Sequence, residues 1–132
     1  MSSTDLGKTY PDGTLIFHQG ETGNSMYVIL EGEVEIFLEK DGEEISLARR
    51  GAGDFLGEMA LLTQEKRSAS ARAKGPVRLL TLDKKNFLRR VHEDPTIAFR
   101  LVEVLSSRIR ELDAQVAELS LAVRDCLKSL NP

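Results

Sequence analysis

Histidine and cysteine are scarce in this sequence, and their scarcity excludes several kinds of site. The 132 residues include two histidines, His18 and His92, and one cysteine, Cys126. The histidines lie far apart and lack the spacing of metal ligands, so neither a zinc nor a haem site is expected. A single cysteine excludes an intramolecular disulfide and a cysteine-rich metal site. The sequence therefore predicts a protein without metal or cofactor.

Long apolar runs and an excess of basic residues are also missing. No run approaches the roughly 18 apolar residues needed to span a bilayer, and the N-terminal MSSTDLGKTY lacks a signal-peptide core. We therefore expect a cytoplasmic protein that does not contact membranes. The formal charge of -3 argues against DNA binding, which usually requires a basic face, but allows a local basic pocket for one small anion.

Glycine is absent after Asp83, and this change divides the chain into a strand-rich part and a helical part. The length allows one domain with a proper core and not two. Turn residues before Asp83 separate short β-rich segments, and Asp41-Gly42 is the strongest hairpin signal among them. The pattern predicts a mainly β fold, an antiparallel sandwich or barrel such as a jelly roll, followed by C-terminal helices. The predicted strands are 14–17, 26–30, 34–38, 45–47, 67–73 and 77–82.

Two helices are predicted after the strands. Asp83 is a suitable N-cap for a short helix that ends near Val91 to Glu93. Asp94-Pro95 combines a capping residue with a proline at the first helical position, and the helix it begins can continue to about Leu130. Such a helix would be about 50 Å long, too long for so small a sheet domain to cover.

Apolar residues in the long helix follow alternating steps of three and four, as in a coiled coil. β-branched residues at a with leucine at d favour a parallel two-stranded coil, so we predict a homodimer through residues 102–130. An amphipathic helix that folds back on its own domain is the other interpretation. Cys126 would face its dimer mate, as a free thiol in a cytosolic protein. The a positions are Val102, Ile109, Val116, Val123 and Leu130, and the d positions are Leu105, Leu112, Leu119 and Cys126.

The segment 55–71, FLGEMALLTQEKRSASA, has the residues of an anion site. Gly57 permits a tight turn and close approach of the backbone to a ligand. Residues 58–62 can form a short helical turn whose free N–H groups attract an anion. Arg67 can present two parallel donors to a phosphate. Glu58 beside such a site is explained if the ligand also offers hydroxyl donors, and a ribose phosphate supplies both groups.

The same segment resembles the phosphate-binding cassette of the cyclic nucleotide-binding domains in catabolite activator proteins, protein kinase regulatory subunits and gated channels. The matching residues are GEMAL at 57–61 and RSA at 67–69. The resemblance extends to GTLIFHQGE at 13–21, MYVILEGEV at 26–34 and GDF at 53–55. It implies an antiparallel β-roll (a jelly roll or double-stranded β-helix) at 10–83, a short helix at 84–93 and a dimerising helix at 95–130, all in one domain.

The resemblance also implies a role for each cassette residue. Arg67 would pair with a phosphate oxygen, and Glu58 would accept a hydrogen bond from the ribose 2′-hydroxyl. The resemblance implies a phosphate shell completed by backbone amides around Met59, Ala60 and Ala69 and by the Ser68 hydroxyl, with Gly57 at the turn.

The base of the nucleotide stays open between adenine and guanine, with cAMP favoured over cGMP. Counted from Arg67, the positions that contact the base in catabolite activator proteins correspond to Leu112 and Asp113. Leu112 could only cover the base with apolar surface. Asp113 could accept hydrogen bonds from either base, or it could pair with Arg108 across the dimer.

The sequence is compatible with three functions to different degrees. The favoured one is a regulatory sensor that binds a cyclic nucleotide and signals to an unknown protein effector by rearranging its C-terminal helices. The alternative is a nucleotide-independent dimeric coiled-coil adaptor of the same fold. An enzyme of the related cupin type would need clustered histidines, so no catalysis is expected. Since the sequence stops at Pro132, without the roughly 70-residue helix-turn-helix of family transcription factors, we expect a stand-alone or excised module.

Overall fold

Six strands and three helices make up the part of the chain that the computed structural model describes, residues 7–130. These residues belong to two compact units, with the boundary between Arg89 and Arg90. In chain order the elements are β1 (Lys8–Tyr10), β2 (Leu15–Phe17), β3 (Ser25–Lys40), β4 (Glu43–Gly51), β5 (Phe55–Leu56), α1 (Glu58–Thr63), β6 (Ser70–Asp83), α2 (Lys84–Glu93) and α3 (Thr96–Leu130).

The strands form one antiparallel sheet. Its main order is β1-β6-β3-β4, while β2 also pairs with β6 and β5 with β3. The predicted class, mainly β and antiparallel with C-terminal helices, is confirmed. The long strands β3 and β6 pair from Ser25 opposite Asp83 to Phe37 opposite Ser70, and they form the centre of the sheet.

The hairpin between β3 and β4 turns at Asp41-Gly42, as the sequence predicts. Asp41 has φ 54° and Gly42 has φ 78°. Positive φ at both central residues is typical of the type I′ turn, whose twist matches that of the two strands. The predicted segments 34–38 and 45–47 lie in β3 and β4, so this local signal correctly placed the connection between the two strands.

The central strands are longer than the sequence predicts. Segments 26–30 and 34–38 are two parts of β3, and 77–82 belongs with 70–73 to β6. Shifts of register between Ile29 and Glu33 allow β3 to continue past Gly32 without ending. The sequence predicts that Arg67 begins a strand, but it lies three residues before β6. It therefore belongs to the segment that leads from α1 into the sheet.

A small-residue face of β6 packs into the core. Ala71 and Ala73 are fully buried there, and so are Ile29 and Val34 of β3. On the opposite face of β3, Phe37 is also buried, and the guanidinium of Arg72 lies 4.2 Å from its ring centre. Arg72 also donates a 2.7 Å hydrogen bond to Glu35, which lowers the pKa of that carboxyl. The alternation of apolar and polar residues in 34–38 thus predicts a strand correctly, although side chains on both faces of that strand are buried.

The two C-terminal helices begin where the sequence predicts. The Asp83 carboxylate accepts a hydrogen bond of 2.8 Å from the Asn86 amide, and caps α2. The Asp94 carboxylate accepts bonds from the amide (3.2 Å) and the hydroxyl (2.6 Å) of Thr96 at the start of α3. α3 then continues for 35 residues to Leu130, about 50 Å.

The second half of α3 is exposed throughout. Every residue from 111 to 130 is exposed within the described chain, including Val116 at 62% and Leu119 at 66%. A heptad seam of apolar residues is therefore left facing solvent in a single copy of the chain. None of the described helices is both long and apolar enough to cross a membrane.

Candidate ligand-binding site

Arg67 is the centre of the candidate site, and the main chain on both sides of it is fixed. Its N–H donates to the Glu21 carbonyl at 2.9 Å, and its own carbonyl accepts from the Gly20 N–H at 2.8 Å. This two-way pair resembles one rung of an antiparallel ladder, although neither segment belongs to a strand. The turn after β2 therefore sets where the Arg67 side chain begins.

The guanidinium of Arg67 is buried and bonded to main-chain oxygens. The residue is 7% exposed. Nη1 donates to the Gly57 carbonyl at 3.1 Å and Nη2 to the Ser25 carbonyl at 2.9 Å. Within residues 7–130 its hydrogen bonds go to carbonyls and not to a carboxylate, so its N–H donors are not bonded to a negatively charged group. Buried charges are costly unless they are compensated, and this one is suited to an anionic ligand.

Two aromatic rings support the guanidinium. Its carbon lies 4.4 Å from the ring centre of Phe17 and 5.8 Å from that of Tyr27. The two rings stack on each other at 5.9 Å. Cation–π attraction in a desolvated place contributes on the order of 1–2 kcal/mol. Burial raises the pKa of the Tyr27 phenol, and the positive charge of Arg67 opposes that rise.

Two glycines make room for the guanidinium. A Cβ atom on Gly57 would collide with Nη1 of Arg67, and one on Gly23 would lie 2.5 Å from Nη2. Gly57 also has φ 74°, a backbone angle that residues other than glycine rarely adopt. Gly23 is outside the set of glycines with positive φ, so the nearness of Arg67, and not the backbone conformation, favours a glycine there.

The short helix α1 begins next to this arginine. Gly57 is its N-cap residue, without a side-chain capping bond, and Glu58 is its first residue. Glu58 is 9% exposed, Ala60 is buried and Met59 is half exposed. The Ala60 N–H donates to the Gly57 carbonyl at 3.2 Å, so any ligand contact from this amide would be shared with that bond. The predicted helical turn 58–62 is confirmed, and the helix continues for one further residue to Thr63.

The remaining predicted site residues fall into two groups. Ser68 is exposed and Ala69 is buried, and both follow Arg67 on the way into β6. Leu112 and Asp113 are exposed residues of α3, in the second compact unit. The structure thus brings together Gly57, Arg67 and their chain neighbours, whereas the two α3 residues stay predictions. No cluster of metal-ligating side chains occurs within the described residues.

Several contributors to the site were not predicted from the sequence. Phe17 and Tyr27 supply the aromatic support, and the Ser25 carbonyl accepts from Arg67. These residues are 40 to 50 positions away from Arg67 in the chain, so no local spacing relates them to it.

The sequence matches the family model of the cyclic nucleotide-binding domain over residues 7–94. It is 38% identical to the cyclic AMP receptor protein of Thermus thermophilus over 114 residues, which cover 86% of this chain and 53% of that protein. It is 30% identical to the cAMP-activated global transcriptional regulator CRP of Salmonella typhimurium, covering 84% of this chain and 54% of that one. The chain thus spans about half the length of these relatives.

Solved structures agree with the sequence matches. The crystal structure of the Thermus thermophilus catabolite activator protein superposes with a TM-score of 0.74 at 38% identity, over 86% of this chain and 54% of that one. The EAL enzyme Bd1971 in its cAMP-bound form gives 0.61 at 35% identity, over 90% of this chain and 32% of that one. Its cGMP-bound form gives 0.62 at 36% identity, over 88% and 32% of the two chains. The chain belongs to the cyclic nucleotide-binding domain family.

Proposed function

We propose that this domain is a regulatory module that binds a cyclic mononucleotide, with Arg67 as the residue that pairs with the cyclic phosphate. The supporting observation is the buried guanidinium, which is held by two carbonyls and two aromatic rings and lacks a carboxylate partner within residues 7–130. A phosphate that carries one negative charge would compensate it and receive charge-assisted hydrogen bonds. In this role the domain has no catalytic task of its own.

Glu58 supports a ribose as the neighbour of that phosphate. Glu58 is buried, and it follows directly after Gly57, whose carbonyl accepts a hydrogen bond from Arg67. An ionised carboxylate only accepts hydrogen bonds, and a ribose 2′-hydroxyl can donate one. We propose that the amides of Met59, Ala60 and Ala69 and the hydroxyl of Ser68 complete the phosphate contacts, the Ala60 amide through a shared bond.

The identity of the base is proposed from the relatives. Those named for their ligand bind cAMP, and Bd1971 has been solved with cAMP and with cGMP. We favour cAMP for this chain and propose that α3 covers the base with Leu112 and recognises it with Asp113. The exposed Asp113 carboxylate could then accept from the adenine amino group or from the guanine donors.

A competition titration tests both the ligand and the role of Asp113. Nucleotide-free protein is titrated with cAMP and cGMP by calorimetry, and we expect saturable binding with cAMP the tighter ligand. Asp113→Ala should change the ratio of the two dissociation constants by about tenfold, since one hydrogen bond to a charged group is lost. Asp125→Ala, which removes a carboxylate from the same helix outside the heptad seam, is the matched control and should leave the ratio unchanged.

The outcomes of that titration separate the functions. Binding of neither nucleotide would contradict the sensor and favour the nucleotide-independent adaptor. An unchanged ratio in Asp113→Ala would instead leave the sensor standing and assign Asp113 to the coiled coil, in a pair with Arg108 of the other helix.

We further propose that the domain acts as a parallel homodimer through residues 102–130. The a and d residues of the heptad pattern are solvent-exposed in most positions, for example Ile109 at 58% and Leu112 at 58%. Exposed apolar residues in a continuous seam are costly in water and are typical of a helix that pairs with a second copy. Nucleotide binding would then change how the C-terminal helices are arranged, and a protein effector would respond to that change.

Nucleotide binding should raise the pKa of the Tyr27 phenol above its value in the free domain. The positive charge of Arg67 lowers that pKa, and a bound phosphate would offset this charge. The bound state would therefore favour the neutral phenol, so affinity should be full at neutral pH and fall as the pH rises through the pKa of Tyr27 in the free protein. A phenolate absorbance titration of Tyr10→Phe, in which Tyr27 is the remaining tyrosine, measures the change.

Adenosine is the control ligand for this titration, because it lacks the phosphate and should leave the Tyr27 pKa where it is. A pKa that stays constant or falls at saturating cyclic nucleotide would show that the phosphate does not lie at Arg67.

A further inference from the structure

The turn formed by residues 18–21 holds the main chain of Arg67. Gly20 donates to the Arg67 carbonyl at 2.8 Å, and the Glu21 carbonyl accepts from the Arg67 N–H at 2.9 Å. Inside the turn, the Glu21 N–H donates to the His18 carbonyl at 3.1 Å, and the Glu21 carboxylate accepts from the His18 N–H at 2.6 Å. The position of Arg67 therefore depends on what fixes this turn to the rest of the sheet.

The Gln19 side chain fixes it to the end of β3. Its Nε2 donates to the Glu39 carbonyl at 2.9 Å, and its Oε1 accepts from the Glu39 N–H at 2.6 Å. The side-chain amide thus imitates a peptide group and pairs with Glu39 as a strand residue would. The Gln19 main-chain N–H also donates to the Ser70 hydroxyl at 2.9 Å, and Ser70 is fully buried.

We infer that Gln19 is a positioning residue for Arg67 and for the phosphate that Arg67 binds. The inference rests on the proposed function and deepens it, because it assigns a residue that touches no ligand to the accuracy of the site. Gln19 locks the turn through Glu39 and Ser70, and the turn locks the backbone of Arg67. A glutamine is required because its amide both donates and accepts, while glutamate only accepts and methionine does neither.

The position of Glu39 gives this arrangement a second consequence. Glu39 lies two residues before the Asp41-Gly42 turn of the β3–β4 hairpin. A movement of that hairpin would therefore pull on Gln19 and, through the turn, on Arg67. Besides the Gln19 bonds, His18 Nε2 lies 3.1 Å from the Glu39 carboxylate, so the end of the hairpin is joined to this turn by two neighbouring side chains.

Hydrogen exchange of the nucleotide-free protein tests the positioning without any ligand. In Gln19→Met, which keeps the side-chain length but removes both hydrogen bonds, the amides of Gly20 and Arg67 should exchange at least about tenfold faster than in the wild type. The amide of Leu79, in the core of the sheet, should exchange as before. Unchanged exchange at Gly20 and Arg67 would overturn the inference.

Asp12→Ala is the matched control. It removes a side-chain to main-chain hydrogen bond of the same kind, from the Gly75 N–H to the Asp12 carboxylate at 2.7 Å, at a turn that does not hold Arg67. We expect it to lower thermal stability to a similar degree and to leave the exchange of Gly20 and Arg67 unchanged.

Calorimetry then relates the positioning to binding. At a temperature where both variants are folded, Gln19→Met should bind cAMP about tenfold more weakly than the wild type, and Asp12→Ala within about twofold of it. Equal losses in the two variants would indicate general destabilisation and overturn the inference.

If Gln19→Met does not fold, Gln19→Glu keeps the acceptor for the Glu39 N–H and loses the donor, and it should show the same faster exchange. A wild type that binds neither cAMP nor cGMP would refute the proposed function, whereas the exchange experiment would still decide whether Gln19 holds Arg67.

Discussion

Arg67→Ala should weaken cyclic nucleotide binding by at least about a hundredfold. Truncation of one member of a buried, hydrogen-bonded charge pair costs on the order of 2–5 kcal/mol, since the partner charge loses its compensation. The loss should be large here because the guanidinium is already oriented by the carbonyls of Gly57 and Ser25 and by the Phe17 ring, so its alignment adds little cost to binding. Calorimetry with cAMP and cGMP measures the effect.

Arg67→Lys sharpens the interpretation of that result. Lysine keeps the positive charge but cannot reach two carbonyls with a planar fork of donors. We expect it to recover only a small part of the affinity. Arg78→Ala is the matched control, because Arg78 pairs with Glu31 at 2.8 Å on the partly exposed surface of the same sheet. Full affinity in Arg67→Ala, or an equal loss in Arg78→Ala, would contradict the assignment of the phosphate to Arg67.

Val116→Asp should separate the proposed dimer. Val116 is an a residue near the middle of the seam and is 62% exposed in the single chain. Two carboxylates would face each other in a dry interface, and the dimer dissociation constant should rise by at least about a hundredfold. Sedimentation equilibrium measures it. Leu121→Asp is the control, because Leu121 is similarly exposed at 49% but lies at position f, outside the seam.

Cys126 reports the orientation of the two helices. In a parallel dimer in register, the two d thiols meet, and an added oxidant such as diamide should link the chains by a disulfide. An antiparallel pair centred on Val116 would place the thiols about 30 Å apart, so no link would form. A wild type that is monomeric at high concentration, or a Leu121→Asp variant that dissociates as fully as Val116→Asp, would contradict the seam.

Local signals in the sequence predicted those parts of the fold that depend on neighbouring residues. Asp41-Gly42 gave the hairpin because its two positive φ angles are set within the turn itself. Asp83 and Asp94 gave the helix starts because capping bonds reach only two or three residues. Strand ends were less accurate, since pairing with β6 carries β3 through Gly32, where the local sequence indicates a break.

The candidate site divides in the same way. Gly57, Glu58 and Arg67 were predicted because they occur within one short segment whose pattern resembles a known cassette. Phe17, Ser25 and Tyr27 were not, because they lie 40 to 50 positions from Arg67 and come near it when β2 and β3 pair with β6. Gln19 was missed for the same reason: its partner Glu39 is 20 residues further along the chain.

Most glycines of the described chain have a positive φ angle, whereas Gly23 does not. The atoms nearest to a Cβ at Gly23 would be those of the Arg67 guanidinium, the first at 2.5 Å. The two positions should therefore covary among relatives of this domain. A relative that had lost the arginine would have room for alanine or serine at position 23, so we expect side chains at this position mainly in domains that lack the arginine.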